Sequence, residues 1–250
     1  MAKDKRDKAT KAGSTSKLKA SETAIAASAP LLWPAFKPPL PLIDLALEEL
    51  VPGKVVIIRN FWPKSLCRDY VSFLKTLPLA QIAGKPKRGM APRQNDRFQV
   101  DDPQFSTRLW LETGLREALL AEDIAQSWGG DVVGLSPNIR VYRYSKGQFF
   151  DCHYDDSNSL TVQSDTLEKI PAKTTWTLLL YLTSAAEGCI GGETVFYPND
   201  SKSPRNAIAV PPETGMLLLH KHGDDCMLHE GAEVTAGEKW VLRSDLCVRR

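Results

Sequence analysis

From Pro137 onward the chain reads as short strands and little else. Apolar and β-branched runs at 139–144, 149–155, 176–182, 193–197, 207–210, 216–222, 226–229 and 239–248 are separated by turns rich in Gly, Pro, Asn and Asp. So many short strands in one half of a chain must curl or stack face to face, because a flat sheet would leave its edges and one apolar face in water. The pattern indicates a sandwich or barrel, and a double-stranded β-helix of jelly-roll or cupin-like type over 137–248 is the natural match. Ahead of it, 54–59 reads as a buried strand and 63–77 as a helix with Pro63 in its first turn. Residues 42–50 and 107–128 read as further helices. The fold class is mostly β with flanking helices (α+β), with helical support over 42–128.

The second of these strands carries candidate chemistry. His153 and Asp155 are two residues apart, so on an extended strand they share a face while Cys152 and Tyr154 take the other. An imidazole nitrogen and a carboxylate oxygen are two of the three ligands in the 2-His-1-carboxylate triad of non-haem Fe(II) oxygenases. Alone, such a triplet is more often a surface pair or a hydrogen-bonded one. A third ligand has to be a distant histidine, and only His220, His222 and His229 remain. His220 and His222 alternate on one strand face with Met216 and Leu218, a pattern that also suits buried, hydrogen-bonded histidines. His229 follows the turn at Gly223, Asp224 and Asp225 and precedes Gly231 and the last long strand. Asp156 has the right chemistry but is one residue out of register with the strand face.

The triplet has company. Tyr144, Gly147 and Phe150 lead into it at three-residue intervals, and Gly191-Gly192-Glu193-Thr194 with Phe196 lies beyond it. A late histidine and a strand bearing Lys239 and Arg243 complete the order. This set resembles the Fe(II)- and 2-oxoglutarate-dependent dioxygenases, and within them the prolyl 4-hydroxylase-like branch, well over 138–248 and loosely over 51–128. The resemblance implies Fe(II) held by His153, Asp155 and His229, with His222 as the alternative distal ligand. It implies 2-oxoglutarate and O2 as co-substrates, with ascorbate as an accessory reductant, and hydroxylation of a C–H bond with release of succinate and CO2. It also implies that Tyr144 and Thr177 hydrogen-bond 2-oxoglutarate. The distal carboxylate would meet Lys239, ten residues after His229 as in prolyl-hydroxylase-like enzymes, or Arg243, as in other branches. Whichever cation is not used is expected on the strand surface. One departure stands out: the connection 183–190 is longer than prolyl hydroxylases usually have, which leaves the substrate class open.

The rest of the chain narrows the setting. A net charge of +2 makes no global demand for nucleic acid or an anionic membrane. Five scattered cysteines without a Cys-x-x-Cys pair fit a reducing compartment better than a disulfide scaffold. There is no membrane-length apolar run, and the first residues lack the apolar core of a secretory signal, so a cytoplasmic or nuclear location is expected. Residues 1–29 read as a disordered basic tail, either simply solvated or a nuclear address or nucleic-acid tether; 30–250 read as one domain. Residues 81–102 read as a basic Gly/Pro loop carrying Lys85, Lys87, Arg88, Arg93 and Arg97, with a return strand beginning at 95–98. Such a loop is either a lid or binding loop, or a mobile solvated one. The expected function is a prolyl (peptidyl) hydroxylase acting on an intracellular protein. The alternatives are a nucleic-acid dealkylase of the same fold and a catalytically idle binding module. Arg243 and Arg249 echo a spacing of the dealkylase branch, whereas Tyr142 stands where that branch has asparagine.

Overall fold

The computed structural model describes residues 31–82, 91–121, 124–163 and 168–250. The expected basic tail, and Lys85, Lys87 and Arg88 of the basic loop, lie outside the described residues. In chain order, β1 (Leu47–Val51), β2 (Val55–Ile58), helix α1 (Lys64–Leu74), β3 (Ala80–Ile82), β4 (Arg93–Asp101), and helices α2 (Pro103–Leu111) and α3 (Leu115–Leu119) come first. There follow β5 (Val132–Leu135), β6 (Asn138–Ser145), β7 (Phe149–His153), β8 (Ser159–Gln163), β9 (Lys169–Tyr181) and β10 (Ile190–Gly191). The last are β11 (Thr194–Tyr197), β12 (Ile208–Val210), β13 (Leu217–Lys221), β14 (Leu228–Gly231), β15 (Val234–Ala236) and β16 (Glu238–Arg249).

One antiparallel sheet runs β1-β2-β13-β9-β16-β6-β4-β7-β14-β11-β12. Its corner is β4, whose residues 96–101 pair with β6 while Arg93 and Gln94 pair with β7. One strand therefore belongs to both halves, and the sheet curls back over itself as the double-stranded β-helix expected. The space between the halves is filled by Val55, Ile57, Tyr181, Phe196, Leu218 and Val241, among others. α1 covers the outside, burying Leu66, Cys67, Tyr70 and Leu74 on one side of its turns. The Pro-rich arm before β1 packs through Trp33 and Phe36, while Leu32 is exposed. The Trp33 ring stacks on Phe105 at 3.9 Å, and its Nε1 donates to Asp102 Oδ2 at 2.8 Å. The same carboxylate caps α2 by accepting from the Phe105 amide at 2.9 Å, a contact worth about 1 kcal/mol.

Three expectations of helix or loop are overturned. Residues 47–51 are a strand, because the fully buried β2 would otherwise present an unpaired edge; pairing outweighs the helical propensity of Leu-Glu-Glu-Leu. The single helix over 107–128 breaks at Gly114, which takes φ of +75° and lets Pro41 approach so closely that a Cβ would lie 2.8 Å from its Cγ. The loop expected over 81–102 gives way to a nine-residue strand from Arg93, two residues before the return strand expected at 95–98. Its apolar alternation is missing because Arg93, Asn95 and Arg97, polar residues that are buried or partly buried, share one face of the strand.

Candidate metal centre

His153 and His229 are register partners on neighbouring strands β7 and β14, with ring centroids 4.2 Å apart. Asp155, just past the end of β7, turns its carboxylate between them: Oδ1 lies 3.7 Å from His153 Nε2 and Oδ2 lies 4.0 Å from His229 Nε2. The three donor atoms all lie within 4.8 Å of one another. Each imidazole is aimed by its other nitrogen. His153 Nδ1 is 2.8 Å from the Asp151 carbonyl and His229 Nδ1 is 2.9 Å from the Met227 carbonyl, so in each ring Nδ1–H donates and Nε2 keeps its lone pair for the centre.

The electrostatics agree with that geometry. Burial, reinforced by His229, pushes the His153 imidazole down to about 4, and burial lowers His229 as well. Burial would push the Asp155 carboxyl up, but the Arg243 guanidinium and the imidazoles of His220, His229 and His153 outweigh it and hold it well below the usual range. At neutral pH the set is two neutral nitrogens and one carboxylate, so an Fe(II) ion would find donors with no proton to displace.

Asp155 is itself held. Oδ2 accepts from Thr177 Oγ1 at 2.8 Å and faces Arg243 Nη2 at 3.0 Å, which leaves Oδ1 on the side of His153. His222, the alternative distal ligand, is occupied elsewhere: Nδ1 is 3.1 Å from Thr177 Oγ1 and Nε2 is 2.9 Å from Thr174 Oγ1. His220 is buried with its Nε2 unpaired, 3.6 Å from Asp155 Oδ2. The alternation of β13 shows it as a core histidine but cannot show that it borders the metal centre.

A small cavity opens beside the two ligand histidines, with Tyr144, Thr194, Lys239 and Arg243 on its walls. Lys239 is fully buried at its far end. Its Nζ donates to the Gly192 carbonyl at 2.6 Å and lies 5.6 Å and 5.3 Å from the ring centroids of Tyr144 and Tyr181. Among the described residues no carboxylate pairs with it, and burial pushes the ammonium down to about 8. The Gly-Gly turn makes this possible: Gly192 takes φ of +73°, and a Cβ there would sit 3.1 Å from Lys239 Cδ.

Two of the sequence expectations need correction. Thr177, expected to hydrogen-bond 2-oxoglutarate, is not on the cavity wall. It pairs across β9 with His220 and Asp245, at the level of the metal centre, and spends its proton on Asp155. Neither strand cation is on the surface. Arg243 is as enclosed as Lys239, bonded to Asp155 and, at 3.2 Å, to Asp245. Thr194, within the Gly-Gly-Glu-Thr signature, also lines this cavity, a role its place in the signature does not reveal; its hydroxyl is 2.7 Å from that of Tyr181.

Residues 139–244 match the family model described as the 2OG-Fe(II) oxygenase superfamily. Prolyl 4-hydroxylase 2 of Arabidopsis thaliana is 27% identical over 198 residues, which is 68% of this chain and 63% of that protein. The chain thus spans less than two thirds of that relative. Among solved structures, the viral collagen prolyl hydroxylase of Paramecium Bursaria Chlorella virus-1, in complex with 2-oxoglutarate, superposes with a TM-score of 0.53 at 20% identity, covering 78% of this chain and 96% of that one. A prolyl hydroxylase from Trichoplax adhaerens, solved with a hypoxia inducible factor peptide fragment, gives 0.51 at 16% identity over 78% and 84%. At these identities the two structures speak for the fold.

Proposed function

We propose that this chain is an iron- and 2-oxoglutarate-dependent oxygenase of prolyl 4-hydroxylase-like kind that hydroxylates a prolyl residue of a peptide or protein, a reading supported by the match of residues 139–244 to the 2OG-Fe(II) oxygenase superfamily. The observation that carries the reading is the pairing of a buried, carboxylate-free Lys239 with the donor set of His153, Asp155 and His229 across one cavity. A dicarboxylate that reached the metal with one end would bring its other end to the ammonium. An unpaired buried ammonium is costly, so binding the anion relieves it. Tyr144 then stands at the distal end, while Arg243 and Thr177 hold the Asp155 carboxylate in one orientation. Bound iron supplies the oxygen chemistry; the chain supplies ligation, orientation and a dry wall.

A peptide substrate is favoured by the named relatives, which are prolyl hydroxylases, and by the Trichoplax enzyme having been solved with a peptide. A reducing compartment, cytosol or nucleus, is the setting we propose, since all five cysteines are free and four are buried. The test is succinate release from 2-oxoglutarate with Fe(II), with a proline-peptide library and methylated oligonucleotides as separate arms. Mass spectrometry then looks for peptides that gain one oxygen on proline. Turnover stimulated by the oligonucleotides alone would replace the prolyl reading with the dealkylase one.

A further inference from the structure

Six described arginines are partly buried: Arg93, Arg97, Arg108, Arg140, Arg143 and Arg243. Four have a carboxylate partner. Arg108 pairs with Glu112, Arg140 with Asp245, Arg143 with Asp96, and Arg243 with Asp155 and Asp245. Arg93 and Arg97 form no ion pair with any described residue.

These two share a face of β4, the corner strand of the sheet. The Arg93 guanidinium lies 5.4 Å over the Phe150 ring, which stacks at 3.6 Å on the ligand His153. The Arg97 guanidinium lies 5.9 Å over Tyr142. Phe150 and Tyr142 are both walls of the metal cavity, and Arg93 lines the open mouth in front of His153 and Asp155. Aromatic faces support a cation but accept none of its N–H bonds geometrically, and Arg97 shows the shortfall. Its Nε is buried without a partner, and its one side-chain hydrogen bond goes to Gln99. Arg93, Arg140 and Arg243 add like charge around it. Asp156, the carboxylate on the same mouth besides Asp155, reaches neither arginine. The local excess of positive charge is also not what 2-oxoglutarate needs, because Lys239 already waits at the far end of the cavity.

We propose that the substrate presents a carboxylate to Arg93 and Arg97: an acidic side chain within a few residues of the hydroxylated proline. The choice of a peptide carboxylate rests on the prolyl reading above. A guanidinium pair backed by two aromatic rings matches a planar carboxylate in shape and charge, and a docked substrate would supply the carboxylate that neither arginine has among the described residues.

The experiment uses the full chain loaded with Mn(II) and N-oxalylglycine, an unreactive analogue that fills the co-substrate position. Calorimetry compares acetyl-Glu-Ala-Pro-Ala-Glu-amide with its twin in which both Glu are Gln. The Glu peptide should bind at least about tenfold more tightly, with an advantage that shrinks as salt rises. Arg93→Gln and Arg97→Gln should each reduce that advantage. Arg97→Gln should also hold or raise the melting temperature of the metal-free protein, which a merely structural arginine would not do. Equal binding of the two peptides overturns the proposal. So does a fall in melting temperature with the peptide preference intact, or a loss of 2-oxoglutarate affinity equal to the loss of peptide affinity. With Fe(II) and 2-oxoglutarate, hydroxylation of both peptides at equal rates keeps the prolyl reading and removes this one. Tight, arginine-dependent binding of the Glu peptide without oxygen on proline does the reverse.

Discussion

At the scale of single residues, the centre separates groups that hold the metal from groups that hold those holders. His153→Ala, Asp155→Ala and His229→Ala each remove one donor atom of three and should abolish both succinate formation and tight Mn(II) binding by calorimetry. His222→Ala should keep both while lowering stability by about 1–3 kcal/mol, because Thr174 and Thr177 each lose one buried hydrogen bond, though Asn158 still donates to Thr174 and Asp155 and Arg243 still hold Thr177. Lys239 makes a prediction with a sign. Folded, its proton leaves near pH 8; unfolded, it stays to the ordinary 10.5. Between those values the unfolded chain binds more protons, so the stability of the ligand-free protein rises with pH across that window. Lys239→Met should be more stable than wild type by about 3 kcal/mol below pH 8, and urea titrations should show the gap closing by pH 10.5. The affinity of 2-oxoglutarate should run the other way, falling above pH 8 in wild type, and Lys239→Met should lose about two to three and a half decades. Arg243→Ala, by contrast, leaves Asp155 buried without its cation, while Asp245 keeps Arg140, and should destabilise by about 3–5 kcal/mol. Sequence spacing brings His153 and Asp155 to one face, and the family resemblance points to His229 and Lys239. It cannot say how deep in the barrel a side chain sits, which is why Thr177 reads as a co-substrate contact and Arg243 as a surface cation.

At the scale of elements, the Gly191-Gly192 turn and β4 do the positioning. Gly192→Ala would force a Cβ between Val234 and Lys239 at a left-handed φ. The expected result is a loss of about 1–3 kcal/mol of stability and a weaker 2-oxoglutarate complex with Mn(II) affinity retained, read by calorimetry with each ligand in turn. The strands with apolar alternation, β6, β9, β13 and β16, are legible in the sequence because they pack on both faces or on one. β4 is legible only from 95–98; its start at Arg93 is not, because Arg93, Asn95 and Arg97 have the composition of a loop placed on a strand by the partners β6 and β7. β1 escapes for a related reason: what makes it a strand is the open edge of β2, a fact about another segment. Gly114 could have been read as a break in the long helix, since glycine at left-handed φ ends a helix cheaply.

At the scale of the whole molecule, ligand binding should report on the fold. A metal that binds only the folded state stabilises it by mass action, about 2.7 kcal/mol at a hundredfold excess over Kd. For a chain of this size that is about 5–10 °C in Tm. Mn(II) should therefore raise the melting temperature of wild type in a concentration-dependent way and leave that of His229→Ala nearly unmoved. The placement of β16 has a consequence for biosynthesis. It follows the other described strands in the chain, yet it lies between β9 and β6 in the middle of the sheet. It brings both Lys239 and Arg243, and Arg243 meets Asp155 across 88 residues of sequence. A ribosome emits the chain from its N-terminus at about 5–20 residues per second, so β9 and β6 exist for some seconds with no strand to hold them apart. During that interval the gap must stay open, or be kept open by a chaperone, and no dicarboxylate can be anchored. Acquisition of 2-oxoglutarate is thereby confined to chains whose synthesis has passed residue 243, and a nascent chain stalled before residue 238 should be retained by no 2-oxoglutarate affinity resin.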